Sequence, residues 1–116
     1  MKTTSYEISK KLEEAGFSRQ PFWIWTSEQC CAPYQTNHDG FRSYDLETLL
    51  DALPTFIANK NKGENCLVID VAFGEIYYEG DSDNDAMFIT TTEENESLAD
   101  VAGKIWLMLK EKGLIC

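Results

Sequence analysis

Residues 67–79, Leu-Val-Ile-Asp-Val-Ala-Phe-Gly-Glu-Ile-Tyr-Tyr-Glu, decide the fold that the sequence predicts. Apolar residues stand at every second position of 67–73, which is the period of a strand with one buried face. Gly74 and Glu75 alone separate this strand from a second one over 76–79. So short a separation predicts an antiparallel hairpin.

Three segments around this hairpin have the apolar spacing of amphipathic helices. Ser5 is suited to cap the first helix and Gly16 to end it, and Phe17 provides an apolar anchor just beyond. Ser43 is expected to cap the second helix, which ends before Pro54 or frays on towards Asn59. The predicted helices span residues 5–16, 43–53 and 95–113.

The remaining segments predict an α+β domain. Residues 22–26 are dense in aromatic and β-branched side chains and predict a strand, 27–42 predict a long loop, and 87–90 a short last strand. The expected order is α-β-α-β-β-(β)-α. An antiparallel sheet of three or four strands then packs against two or three helices, as one domain over residues 1–116.

The aromatic strand leaves two interpretations open. Trp23 and Trp25 point to one side, and Phe22, Ile24 and Thr26 point to the other, so both faces are apolar. Either the strand is covered on both sides or the tryptophan face is a contact surface. Burial or helix packing is the favoured interpretation, because large aromatic side chains usually serve cores.

Composition favours a cytoplasmic globular domain. The chain has 116 residues, of which 43% are hydrophobic, and its longest apolar runs are far shorter than the ~20 residues of a membrane helix. The N-terminus has no apolar signal core. Cys30 and Cys31 are adjacent, Cys66 lies in a predicted strand as a small buried apolar residue, and Cys116 is expected to be an exposed thiol. This spacing is not that of a secreted disulfide framework.

The net charge of -10 is concentrated in one part of the chain. All ten lysines and arginines lie outside the segment from Gly63 to Gly103, whereas eleven of the 20 acidic residues lie within it. Such a segment repels a phosphate backbone, so nucleic acid is not an expected partner. Membrane and small-molecule partners are not indicated either, and a protein partner or self-association is the remaining expectation.

Two groups of residues resemble metal or catalytic motifs without completing them. Asp81, Asp83 and Asp85 alternate as in a calcium loop, but Ala86 stands where glycine is required and Thr92 where glutamate is required. A solvated acidic turn is the favoured interpretation.

Cys30, Cys31 and His38 lack both the separation of zinc ligands and a fourth ligand, and His38 is the only histidine available to activate a thiol. No catalytic, metal or cofactor residue is therefore assigned, and no cofactor is expected.

The helix starts and apolar stripes resemble those of small phage and prophage proteins of unknown function. The residues that carry this resemblance are Ile8–Leu12, Ala15–Phe17, Phe22, Trp23, Tyr44–Leu50, Leu53, Pro54, Ser97–Asp100, Trp106 and Leu107. The resemblance implies a compact α+β domain of mobile-element origin and no catalytic residues. Residues 67–110 also resemble, more weakly, the antitoxin domains of the HicB type.

The expected function is that of a non-enzymatic accessory or protein-interaction domain. The candidate interaction surface comprises Trp23, Trp25, Tyr77, Glu79, Asp81, Asp83 and Asp85. One alternative is an acidic nucleic-acid mimic or antitoxin-like inhibitor that binds a basic target. The other is a small enzyme with a pocket that collects Asp70, His38 or Glu79.

Overall fold

Three helices and two antiparallel sheets make up the protein in the computed structural model, which describes residues 3–36, 39–58, 64–80, 87–91 and 96–115. The α+β class is confirmed. The sequence predicted one sheet of three or four strands, whereas the structure has two, one of three strands and one of four.

The first helix begins and ends at the residues that the sequence marks. The three helices are α1 (Tyr6–Glu14), α2 (Leu46–Ala52) and α3 (Leu98–Glu111). The side-chain oxygen of Ser5 accepts a hydrogen bond from the backbone N–H of Ile8, which confirms Ser5 as the N-cap of α1. Gly16 takes a φ of 91° just after α1, as expected of a residue that ends a helix.

The N-cap of α2 is Asp45, so the prediction of Ser43 is wrong. The Asp45 carboxylate accepts a hydrogen bond from the backbone N–H of Thr48 at 2.9 Å. Ser43 instead ends a strand, and its hydroxyl donates to the carbonyl of Thr4 at 2.9 Å. Ser43 pairs with Trp23 and lies two residues before Asp45, so its side chain does not stand at the N-cap position.

A reciprocal capping box begins α3. The Ser97 hydroxyl accepts from the backbone N–H of Asp100, and the Asp100 carboxylate accepts from the backbone N–H of Ser97. Asn95, where this helix was predicted to begin, lies outside the described residues. The predicted core face is confirmed, because its central members are fully buried: Val101, Ala102, Ile105 and Leu109.

The first sheet is built from β1 (Trp23–Ser27), β2 (Cys30–Pro33) and β3 (Phe41–Ser43), and β1 lies between the other two. The prediction of a loop over 27–42 is therefore wrong. β2 and β3 are short and have no alternation of apolar and polar residues, so their strand conformation depends on pairing with β1. Pro33 is tolerated because β2 is an edge strand.

Gly40 allows the chain to return beside β1. Its φ is 152°, and a Cβ atom at this position would lie 2.0 Å from the carbonyl oxygen of Trp25. A side chain is therefore excluded by backbone atoms, which cannot swing away. Glycine is required where the connection from β2 meets β1.

The second sheet has four strands, and each neighbouring pair is antiparallel. Its strands, in spatial order, are β4 (Phe56–Ala58), β5 (Glu64–Asp70), β6 (Glu75–Glu79) and β7 (Met87–Thr91). The expectation that the second helix frays towards Asn59 is wrong. Pro54 ends the helical segment, and β4 follows it at once because its backbone pairs with β5.

The predicted hairpin forms the centre of the second sheet with a shift along the chain. β5 begins and ends three residues earlier than the predicted strand over 67–73. Val71 and Phe73, which the alternation predicted on the buried face, are 74% and 73% exposed in the turn. The turn can begin at this point because the Asp70 carboxylate accepts the backbone N–H of Phe73 at 3.3 Å.

Helix α3 organises the core, since it packs against α1, α2, β6 and β7. Phe17 is 5% exposed, as its predicted role of anchor requires, and its ring makes edge contacts with Tyr44 at 4.7 Å and with Trp106 at 4.9 Å. The buried core comprises Ile8, Leu12, Phe17, Tyr44, Leu49, Leu53, Ile57, Ile76, Tyr78, Ala99, Val101, Ala102, Ile105, Trp106 and Leu109. The helices therefore cover one side of the second sheet.

Candidate functional site

The pairing within the second sheet decides which side chains share a face. Directly paired residues of antiparallel strands point to the same side, and side chains alternate along each strand. One side packs against the helices and is called the inner face. It carries Ile57, Asn65, Leu67, Ile69, Ile76 and Tyr78.

The opposite side of β4, β5 and β6, called the outer face, is not the side to which the helices pack. Phe56 pairs with Cys66, and Val68 pairs with Tyr77. Cys66 and Val68 are neighbours on one side of β5, so these four residues form an apolar row across three strands. Phe56 is 56% exposed at one end of the row. An apolar row of this kind gains free energy when a partner covers it.

Carboxylates border the apolar row. They are Glu64, Asp70, Glu75 and Glu79. Glu79 lies directly opposite Cys66, and Asp70 lies opposite Glu75. All the charged residues of the four strands are acidic. The outer face therefore combines apolar contact area with a negative border.

Desolvation and the negative border both change the pKa of the Tyr77 phenol. Desolvation by neighbouring atoms raises the pKa of Tyr77, and the charges of Glu79, Asp70 and Glu75 raise it further. Adding another negative charge at this position is unfavourable because three carboxylates already act on it. The negative potential of these carboxylates attracts a positively charged group.

The turn between β5 and β6, at one end of the second sheet, carries exposed apolar side chains. Val71 and Phe73 are its large members, and Ala72 between them is also exposed. Gly74, with a φ of 65°, completes the reversal of the chain. We call residues 71–73 the hairpin tip.

The structure divides the candidate surface that the sequence predicted. Tyr77 and Glu79 lie two residues apart on the outer face. Trp23 and Trp25 lie on β1 of the first sheet. The third part of the prediction, Asp81, Asp83 and Asp85, lies outside the described residues.

The Trp25 side chain is anchored within the domain. Its indole Nε1 donates a hydrogen bond to the carbonyl of Thr4 at 2.9 Å, and its ring meets the edge of Tyr6 with centroids 6.2 Å apart. Both Trp23 and Trp25 are half-buried. On the tryptophan face, Trp25 therefore packs β1 against Thr4 and Tyr6, at the beginning of α1.

Three members of the apolar row were not predicted as surface residues. Cys66 was expected to be a small buried residue, but it is half-buried and belongs to the outer face, so that expectation is wrong. Both sides of β5 are apolar, so its pattern alone does not tell which side the helices cover. The signal that could have found Phe56 and Val68 is the charge of their strands: every charged residue in 56–58, 64–70 and 75–79 is acidic.

A separate open groove of about 770 Å³ lies beside α2. It is lined by Arg19, Gln20, Phe22, Asp45, Glu47, Thr48, Leu50 and Asp51. Asp45 is committed to capping α2, and Arg19 contacts Asp51 at 3.5 Å. Neither Asp70 nor Glu79, which the enzyme hypothesis would gather in a pocket, lines this groove.

The described residues contain no group of three or more histidine, cysteine or acidic side chains arranged to hold a metal ion. Cys30 is exposed and Cys31 is half-buried on β2, with free thiols in both cases. Burial raises the pKa of the Cys31 thiol, which disfavours the reactive thiolate. His38, Cys116 and the acidic residues at 81–85 lie outside the part of the chain that the structure describes.

Comparison of the chain with protein-family models, with curated proteins and with solved structures found no match. Within the described ranges, every helix is too short or too polar to cross a membrane. The geometry of the outer face and the hairpin tip is therefore the basis for a functional proposal.

Proposed function

We propose that this protein is a non-enzymatic interaction domain that binds a basic, partly apolar polypeptide segment on the outer face of its second sheet. The observation that carries the proposal is the apolar row Phe56–Cys66–Val68–Tyr77, which crosses three strands and is bordered by carboxylates. A segment in which lysine or arginine alternates with apolar residues matches both features.

Apolar contact supports the affinity of such a complex. Phe56 has more than half of its surface exposed, and the half-buried Val68 and Tyr77 retain contact area beside it. A fully buried large apolar side chain contributes about 2 kcal/mol. Two or three such contacts form the centre of an interface, where a few residues usually dominate the binding free energy.

The carboxylates determine which partner is accepted. Two copies of the outer face brought together would place the carboxylates of Glu64, Asp70, Glu75 and Glu79 of one copy near those of the other. Like charges brought together at an interface cost several kcal/mol. A basic partner is therefore favoured over a second copy of the chain, and over nucleic acid, whose phosphates are also negative.

The test is the affinity of the purified full chain for a short synthetic peptide in which lysine alternates with leucine. In the variant Glu64→Lys/Glu79→Lys, both substitutions lie on the outer face at exposed positions. We expect this variant to bind the peptide about tenfold more weakly, because two attractive charges become repulsive. Calorimetric titration measures the change.

The matched control is Glu14→Lys/Glu111→Lys, which changes the net charge equally at exposed positions on α1 and α3. We expect its affinity to stay within about twofold of the wild type. A peptide with glutamate in place of every lysine should not bind. Equal weakening in the two double variants would show that overall charge, and not the outer face, attracts the peptide, and the proposal would then be wrong.

A further inference from the structure

The hairpin tip has a composition that is unusual for a turn. Turns are dominated by glycine, proline, asparagine, aspartate and serine, whereas this one presents Val71, Ala72 and Phe73. Val71 is 74% and Phe73 is 73% exposed. Large apolar groups are thus displayed together at one end of the second sheet.

The tip is also held in a defined conformation. The Asp70 carboxylate accepts the backbone N–H of Phe73 at 3.3 Å, and the backbone N–H of Gly74 reaches the carbonyl of Val71 at 3.4 Å. The pairing of Asp70 with Glu75 closes the base of the turn. A turn whose backbone is already ordered loses less entropy when a partner binds it.

From these features, and resting on the proposed function, we infer that the hairpin tip is the anchor of the same interface. Phe73 and Val71 enter an apolar pocket of a folded protein partner whose rim carries lysine or arginine side chains. The basic rim is required because Asp70 and Glu75 stand at the base of the tip, where they would meet that rim.

The same carboxylates argue against insertion of the tip into a membrane. Apolar hairpin ends that enter lipid are favoured by basic neighbours, because the membrane surface is anionic. Asp70 and Glu75 would be driven towards anionic headgroups as Phe73 entered the lipid. A basic-rimmed protein pocket offers the opposite electrostatic environment.

The experiment places the photoreactive residue benzoyl-phenylalanine at one position of the full chain in cells that express it. The positions are 73 in the tip, 77 on the outer face and 114 as a control, since Leu114 is an apolar residue with 43% exposure. We expect one partner to be cross-linked from positions 73 and 77 and not from 114. That partner, once purified, should bind Phe73→Ser about tenfold more weakly than the wild type and Leu114→Ser equally well.

The outcomes separate this inference from the proposed function. Cross-linking from position 77 alone, or full affinity in Phe73→Ser, overturns the anchor and leaves the outer face as the binding surface. Cross-linking from neither position contradicts both. Co-sedimentation of the chain with phosphatidylcholine and phosphatidylglycerol vesicles that is lost in Phe73→Ser would assign the tip to a membrane, and the inference would be wrong.

Discussion

The Asp100 carboxylate accepts a hydrogen bond from the backbone N–H of Ser5 at 2.7 Å and thereby joins the N-terminal ends of two helices that lie far apart in sequence. Ser5 caps α1, while Asp100 also accepts from the backbone N–H of Ser97 in the capping box of α3. Asp100 is 2% exposed. One buried carboxylate thus satisfies backbone donors at the beginning of both helices.

Asp100→Ala is expected to lower the free energy of unfolding by about 2 kcal/mol, because it leaves the backbone N–H groups of Ser5 and Ser97 without their acceptor. Urea unfolding followed by circular dichroism measures the loss. Asp51→Ala is the control, since Asp51 is exposed and contacts Arg19 at 3.5 Å on the surface. That change should cost less than about 0.5 kcal/mol, and equal losses would refute the role of Asp100.

Titration of Asp100 should make stability fall as pH rises. Burial raises the pKa of Asp100, the N–H groups of Ser5 and Ser97 oppose this shift, and Glu96 adds to it. Between about 4, the ordinary aspartate value, and the raised native pKa, the folded state binds more protons than the unfolded state.

Comparison with Asp100→Asn isolates this effect, because the amide does not titrate. We expect the unfolding free energy of the wild type, minus that of Asp100→Asn, to decrease as pH rises above about 4, the ordinary aspartate value. An increase over that range would mean that the hydrogen bonds from Ser5 and Ser97 outweigh burial and lower the pKa of Asp100.

Gly103 gives α1 and α3 their close contact. A Cβ at this position would lie 2.7 Å from the Cγ2 methyl of Ile8, which is attached next to the backbone and cannot swing away freely. Gly103→Ala is therefore expected to destabilise the fold by about 1 to 3 kcal/mol, measured by urea unfolding.

The sign of this effect should depend on residue 8. Leucine has no Cγ2 methyl, so in an Ile8→Leu background the alanine at 103 loses its clash and gains about 1 kcal/mol of helix propensity. We expect Gly103→Ala to be neutral or stabilising in that background. Equal destabilisation in both backgrounds would contradict the contact.

Tyr78 should contribute to stability through its buried phenol, which donates a hydrogen bond to the carbonyl of Pro54 at 2.7 Å. Tyr78→Phe is expected to cost about 1 to 2 kcal/mol, because the Pro54 carbonyl loses this donor. Urea unfolding at neutral pH measures the cost, and an unchanged free energy of unfolding would contradict it.

The same residue predicts a loss of stability at alkaline pH. Burial raises the pKa of Tyr78 to about 12, so above the ordinary tyrosine value of about 10 the folded state keeps a proton that the unfolded state releases. The stability of the wild type relative to Tyr78→Phe should fall as pH rises from about 10 to about 12. A constant difference would show that the phenol titrates normally.

The sequence predicted the elements whose signals are local. Ser5 and Gly16 mark the ends of α1, and the apolar stripe of α3 is long enough to specify a helix. Residues 67–79 contain β6 and the C-terminal part of β5, so the central hairpin was predicted with its first strand shifted by three residues. In each case the chain itself supplies the caps, the period or the turn residues.

The sequence did not predict β2, β3 or β4, since strands of three or four residues become regular only when a neighbour pairs with them. The side chains of the outer face could not be identified from the sequence either. Leu67 and Ile69 alternate with Cys66 and Val68, so both sides of β5 are apolar and only the packing of α3 shows which one is covered. Tyr77 and Glu79 were nevertheless included in the predicted surface.

The reactivity of Cys66, at the centre of the apolar row, reports directly on whether the outer face binds a basic segment. In a Cys31→Ser/Cys116→Ser background, Cys66 on the outer face and the exposed Cys30 on β2 provide one reporter and one internal control. We expect saturating lysine–leucine peptide to slow iodoacetamide alkylation of Cys66 by about fivefold or more and to leave Cys30 unchanged. An unchanged rate at Cys66, or equal slowing at both thiols, would show that the peptide does not bind on the outer face.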